Sequence, residues 1–75
     1  MLKKITDDGM GIYDEFPDIY NHRIKADIDL GLSTARIRVY CRRGDRFTPM
    51  FLDVEQAKRL IGSLQQFVDT YEEEE

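Results

Sequence analysis

The hydrophobic positions between Asp53 and Tyr71 recur at steps of three and four residues, which gathers them on one side of an α-helix. Asp53 stands at the N-cap position and Gln56 follows three residues later, a variant of the capping box. The pattern therefore predicts a one-sided helix over 53–71 that needs a sheet or a partner to cover its apolar side. That side consists of Val54, Ala57, Leu60, Ile61, Leu64, Phe67, Val68 and Tyr71.

Two segments upstream alternate apolar and polar residues, RIKADIDL over 23–30 and ARIRVYCR over 35–42. This period of two is typical of half-buried β-strands, and Gly31-Leu32-Ser33-Thr34 supplies a turn between them. In the hairpin that follows, one face pairs oppositely charged residues, which is a favourable arrangement. The predicted cross-strand pairs are Leu30–Ala35, Ile28–Ile37, Ala26–Val39 and Ile24–Cys41 on the apolar face, and Asp29–Arg36 and Asp27–Arg38 on the charged face.

A second turn at Arg42-Arg43-Gly44-Asp45 leads into a third strand over 46–52. Pro49 has no N–H to donate, so this strand is expected at an edge of the sheet. Its register stays open, because Phe47 and Phe51 compete with Met50 and Leu52 for the buried side.

The first 22 residues show no clean period, and we expect a short edge strand there, followed by a loop or a single helical turn. The predicted fold is α+β: a three- to four-stranded antiparallel meander followed by one C-terminal amphipathic helix packed on one face. The 75 residues form one small domain, with a poorly defined segment 1–22, strands over 23–52, the helix over 53–71 and a frayed acidic tail over 72–75.

The charge balance disfavours a dedicated duplex-DNA binder. The chain has 11 basic and 15 acidic residues, but four of the acidic ones form the terminal run, so the remainder is balanced at 11 against 11. A single cysteine excludes an internal disulfide and favours a reduced, cytoplasmic setting. No signal peptide or membrane span is apparent, so we expect no membrane partner.

No grouping of residues predicts catalysis, a metal or a cofactor. His22 is the only histidine and is interpreted as an exposed loop residue. Cys41 falls on the inward side of its strand, where a cysteine acts as a small hydrophobe. The tripeptide Arg43-Gly44-Asp45 is explained by the hairpin turn. At this length the chain has little room for an active site beside a packed core, so a non-enzymatic role is expected.

A cluster of arginines at one end of the hairpin is the candidate binding site, made of Tyr40, Arg42, Arg43, Arg46 and Arg23. In one interpretation these residues are an ordinary solvated face. In the other they are a binding site, because like charges held close together are unfavourable unless an anionic partner binds them. The leading hypothesis is a small regulator or inhibitor that docks on another protein, with a homodimer as a plausible state. The alternative is a single-stranded nucleic-acid binder in which Tyr40 stacks on a base.

The order of hairpin, third strand and capped helix resembles the positive-cofactor-four type of single-stranded-DNA-binding domain. The likeness rests on RIRVY before a turn and FLDVEQAKRL at the start of the helix, and it covers residues 23–68. It is a resemblance of arrangement, and it implies single-stranded DNA as a ligand.

Overall fold

Five antiparallel strands lie in one sheet in chain order, followed by one helix, in a computed structural model that describes residues 1–31 and 34–72. The α+β class is confirmed, although the sheet has five strands and three or four were expected. The elements are β1 (Lys4–Ile5), β2 (Met10–Pro17), β3 (Arg23–Asp29), β4 (Ile37–Arg43), β5 (Arg46–Leu52) and α1 (Val54–Tyr71).

The β3–β4 hairpin has the register that the alternation predicts. Asp27 lies opposite Arg38, and the apolar pairs Ile28–Ile37, Ala26–Val39 and Ile24–Cys41 all form. The two predicted pairs nearest the turn, Leu30–Ala35 and Asp29–Arg36, do not form, because β4 begins only at Ile37. The Asp29 carboxylate instead accepts a hydrogen bond of 2.9 Å from the Gly31 N–H. Part of the predicted turn, residues 32 and 33, lies outside the described residues.

The short edge strand expected in the N-terminal segment is β1, but the expected loop or helical turn was wrong, because most of it is the eight-residue strand β2. β2 pairs with β3 along its whole length, and its register shifts between Ile12 and Asp14. Such a bulge moves the following side chains to the other face. Ile12 lies opposite Asp27, whereas Phe16 lies opposite Ile24 on the other side of the sheet. The bulge therefore explains why the segment shows no period of two.

The pairing resolves the ambiguous register of β5, which is an edge strand as Pro49 predicted. Met50 and Leu52 lie opposite Val39 and Ile37, so they join the apolar residues. Phe47 and Phe51 lie opposite arginines on the other face. We call the first side the apolar face and define it by Phe16, Ile24, Ala26, Ile28, Ile37, Val39, Cys41, Met50 and Leu52.

The helix begins and ends as predicted. The Asp53 carboxylate accepts a hydrogen bond of 2.8 Å from the Gln56 N–H, and the Gln56 side chain accepts one of 3.1 Å from the Asp53 N–H. Glu72 is the C-cap, and its N–H bonds to the Val68 carbonyl. The rest of the acidic tail, residues 73–75, lies outside the described part of the chain.

The expectation that this helix packs across one face of the sheet was wrong. No residue of α1 is buried, and only Ala57 is even half-buried. The physical reason is the connection, since Asp53 alone joins the edge strand β5 to the helix. One residue is too short to turn the chain back across the sheet, where loops of about four to six residues are usual. The helix therefore leaves the apolar face uncovered, and its own apolar side remains exposed.

Candidate functional site

The side of the sheet opposite the apolar face combines cations with aromatic rings in three cross-strand rows. Arg23, Arg42 and Phe47 form the row at one end, Lys25, Tyr40 and Pro49 the middle row, and Asp27, Arg38 and Phe51 the third. We call these nine residues the basic–aromatic face. They come together because β3, β4 and β5 are consecutive antiparallel neighbours, so that residues facing each other across the strands share a side of the sheet.

The basic–aromatic face is held by a buried ion pair. Asp27 is 1% exposed, and Arg38 binds it twice, with Nε 2.8 Å from Oδ1 and Nη2 2.6 Å from Oδ2. This two-point contact fixes the plane of the guanidinium. The hydrogen bonds that Arg38 donates to Asp27 raise the pKa of Arg38 above its ordinary value, against the opposing effect of burial. Arg38 is thus a permanently charged, oriented part of the face.

Tyr40 lies between other side chains and is not a free stacking platform. The Arg38 guanidinium carbon is 4.9 Å from its ring centroid, and the Lys25 Nζ is 6.0 Å from it. Phe47 packs edge-on at 4.6 Å between centroids. These contacts are favourable cation–π and aromatic pairs that occupy the ring. The open aromatic surface belongs instead to Phe47 and Phe51, which are 47% and 64% exposed.

The structure divides the predicted arginine cluster between the two sides of the sheet. Arg23 and Arg42 face each other on the basic–aromatic face, whereas Arg43 and Arg46 pair at the tip of the β4–β5 hairpin on the opposite side. Arg23 also has a partner, since its Nε lies 3.5 Å from Glu15 Oε2. Of the residues predicted as the site, Tyr40, Arg42 and Arg23 therefore lie together, and Arg43 and Arg46 do not join them.

Sequence reasoning missed Phe47, Phe51 and Lys25 as members of this face. For the two phenylalanines the sequence signal was Gly44 in the predicted turn. In the structure Gly44 has a φ of +59° and begins a two-residue loop between the paired residues Arg43 and Arg46. A glycine at the first position of such a loop is typical of a tight hairpin. Counting outward from that turn places Phe47 opposite Arg42 and Phe51 opposite Arg38.

A second cluster lies at the β2–β3 turn and brings together three possible metal ligands. The ligand atoms of Asp18, His22 and Cys41 all lie within 4.8 Å of one another, the only such group in residues 1–31 and 34–72. His22 is not the exposed loop residue that was expected, since its side chain is 30% exposed and its Nδ1 is 3.3 Å from the Asp18 carboxylate. Structural zinc sites usually have four ligands, one more than this cluster provides.

The Asp18 carboxylate organises the turn. It accepts hydrogen bonds from the backbone N–H groups of His22 at 2.8 Å and Tyr20 at 2.9 Å. The bond from His22 is the largest cause that lowers the pKa of Asp18 below its ordinary value, and the bond from Tyr20 adds to it. Asp18 thus acts as a turn cap, and this role accounts for its position beside His22.

An apolar groove opens where the helix leaves the sheet. It has a volume of about 240 Å³ and is lined by Tyr13, Ile28, Ile37, Leu52, Val54 and Ala57 among others. Val54 and Ala57 are the first members of the helix's apolar side. The groove therefore joins the apolar face of the sheet to the apolar side of the helix in one continuous surface.

Comparison with known proteins identifies no relative: the chain matches no protein-family model, no curated protein and no solved structure. Within the described residues, α1 is not apolar enough to cross a membrane.

Proposed function

We propose that this protein is a non-catalytic interaction module that works as a homodimer. Two copies join through the continuous surface that the apolar face of the sheet forms with the apolar side of the helix. The basic–aromatic face docks on the carboxylate-bearing surface of another protein. The observation that carries the proposal is the two-sided chemistry of the sheet, neither side of which is covered by the chain's own helix.

The accessible surface supports the homodimer. A compact monomer of 8.8 kDa would expose about 4,800 Å², whereas this chain exposes 6525 Å². The excess of about 1,700 Å² is roughly twice the area that each partner buries in a standard protein–protein interface. The radius of gyration agrees, since it is 14.1 Å where a compact chain of this length would have about 11 Å.

The composition of the basic–aromatic face favours a protein as its ligand. Arginine, tyrosine and phenylalanine are the residue types enriched in protein–protein interfaces, where a few such side chains supply most of the binding energy. Two of its cations, Arg23 and Arg38, already pair with Glu15 and Asp27, so fewer charges are available for phosphates. Tyr40, the aromatic residue expected to stack on a base, is occupied by its neighbours.

The test compares the ligands of the wild-type protein with those of face variants. Arg42→Glu and Phe51→Ala change the basic–aromatic face, and Arg59→Glu serves as the matched control, because Arg59 is exposed on the helix and is not one of the nine residues of this face. A protein that is captured by binding to the wild-type protein should be purified and then titrated against each variant by calorimetry. We expect binding to wild type and Arg59→Glu, and a loss of at least tenfold for Arg42→Glu and Phe51→Ala.

A second titration uses labelled single-stranded DNA and RNA, followed by fluorescence anisotropy at two salt concentrations. Binding that falls steeply with salt and is lost in Arg42→Glu would replace the proposed protein ligand with a nucleic acid, because phosphate contacts release counterions.

A further inference from the structure

We infer that the second copy docks with its helix antiparallel to the first, so that the free end of each helix lies on the partner's sheet. This inference rests on the homodimer in the proposed function and specifies how its two copies meet.

The apolar side of α1 has the spacing of a helix–helix seam. Val54, Ala57, Ile61, Leu64, Val68 and Tyr71 follow one another at steps of three, four, three, four and three residues. This repeat of seven is the pattern with which two helices interdigitate along their length. The seam is open in the single chain, where Ile61 is 64%, Leu64 54% and Tyr71 57% exposed. At 18 residues the helix is about 27 Å long, enough for five turns of contact.

The charges beside this seam are complementary only in the antiparallel orientation. Lys58 lies near the start of the helix, and Asp69 and Glu72 lie near its end on the same flank, with no basic residue in the last turn. In a parallel pair this flank would meet the opposite flank of the partner, where Leu60 and Phe67 lie, so these charges would find no charged partner. In an antiparallel pair Lys58 of each copy meets the acidic end of the other, with Gln65 between them. The opposite flank carries the apolar Leu60 and Phe67 beside the seam, and these would meet each other in an antiparallel pair.

The position of the groove supports the same orientation. The helix is attached to the sheet only at its N-terminal end, where Val54 and Ala57 line the groove. An antiparallel partner pairs Val54 with Tyr71 of the other copy, so it brings Phe67 and Tyr71 of that copy to the groove. The C-terminal half of each helix then lies at the groove of the other chain, where the apolar face of the sheet meets the helix. A parallel pair would instead pack the two C-terminal halves against each other and leave both groove surfaces without a cover.

The deciding experiment uses two single-cysteine proteins made in a Cys41→Ser background, Lys58→Cys and Glu72→Cys. Each is treated with a short bis-maleimide, first alone and then after the two have been refolded together. The antiparallel pair should give a cross-linked dimer only in the mixture, since residues 58 and 72 of one helix are about 21 Å apart and meet only between copies. Analytical ultracentrifugation of the untreated proteins measures their oligomeric state.

The possible outcomes distinguish a failure of the antiparallel arrangement from a failure of the homodimer itself. Cross-linking of each protein with itself would show parallel helices and would overturn the inference. A dimer that cross-links in no combination would show that another surface joins the copies, and the inference alone would fall. A monomer at all concentrations would remove the homodimer and the inference together.

A charge-swap series tests the antiparallel arrangement independently, through the dissociation constant of the dimer. Lys58→Glu should weaken the dimer roughly tenfold, since it turns two attractive contacts into repulsive ones. The double variant Lys58→Glu with Glu72→Lys should restore the dissociation constant, whereas Arg59→Glu on the far side of the helix should leave it unchanged. Absence of this restoration would contradict the antiparallel arrangement.

Discussion

Asp27 and Arg38 form the best-protected polar contact of the described structure, a two-point ion pair across β3 and β4 in which the carboxylate is 1% exposed and the arginine side chain 29%. The two partners differ in what their loss would leave behind. Removal of Asp27 leaves a guanidinium that water can still reach, whereas removal of Arg38 leaves a carboxylate sealed in the sheet beside Ile12.

We therefore predict that Arg38→Ala lowers the free energy of unfolding by about 3–5 kcal/mol at neutral pH, because an uncompensated buried charge is costly. Arg59→Ala is the matched control, since Arg59 is exposed on the far side of the helix, and it should change the free energy of unfolding little. Urea denaturation at one fixed protein concentration measures both. Equal stability of the two variants would contradict the role assigned to the pair.

The helix start offers a second prediction, because both halves of the capping box are present between Asp53 and Gln56. Asp53→Ala should lower the free energy of unfolding by about 1 kcal/mol, since the N–H of Gln56 loses its acceptor. Asp53→Asn keeps an acceptor and should cost much less. Far-ultraviolet circular dichroism during thermal unfolding compares the three proteins, and identical curves for the Ala and Asn variants would argue against the cap.

The exposed seam of the helix gives a third prediction. Ile61→Lys should convert the protein to a monomer, because it places a charge in the middle of the apolar side. If the protein were a monomer, the same change would leave the measured molecular mass unchanged and would alter the free energy of unfolding little, since Ile61 is 64% exposed. Sedimentation equilibrium distinguishes these cases, with Ser63→Lys, on the polar side of the same helix, as the control that should stay dimeric.

A fourth prediction concerns how the stability that Asp18 contributes depends on pH. The lowered pKa of Asp18 means that its hydrogen bonds to the turn contribute stability above the unfolded pKa of about 3.8, and that this contribution is lost as the pH falls through the lower folded value. Nuclear magnetic resonance should show the Asp18 carboxyl titrating below 3.8. The stability difference between wild type and Asp18→Asn should be largest near neutral pH and shrink below pH 3.8. A difference that does not depend on pH would contradict this role.

Some elements could be predicted because their determinants are local in the chain. The steps of three and four residues specified the helix, and the alternation in 23–30 and 35–42 specified the hairpin together with its Asp27–Arg38 pair. β2 escaped prediction because a bulge between Ile12 and Asp14 changes the side to which its residues point. The candidate site was predicted in part: Tyr40, Arg42 and Arg23 share a face, but Phe47, Phe51 and Lys25 join them only through the ladders of the sheet.

The sequence by itself determined the helix and the strands after residue 22, where the helix is capped, and which side of the helix and of the β3–β4 hairpin is apolar, since these properties depend on neighbours a few residues apart. The tertiary structure decided where those sides point. With Asp53 as the only residue between β5 and α1, the helix cannot return across the sheet, so its apolar side stays open. Pairing between strands likewise decided that Arg43 and Arg46 lie apart from Arg42, because the face on which a residue lies depends on partners distant in the chain.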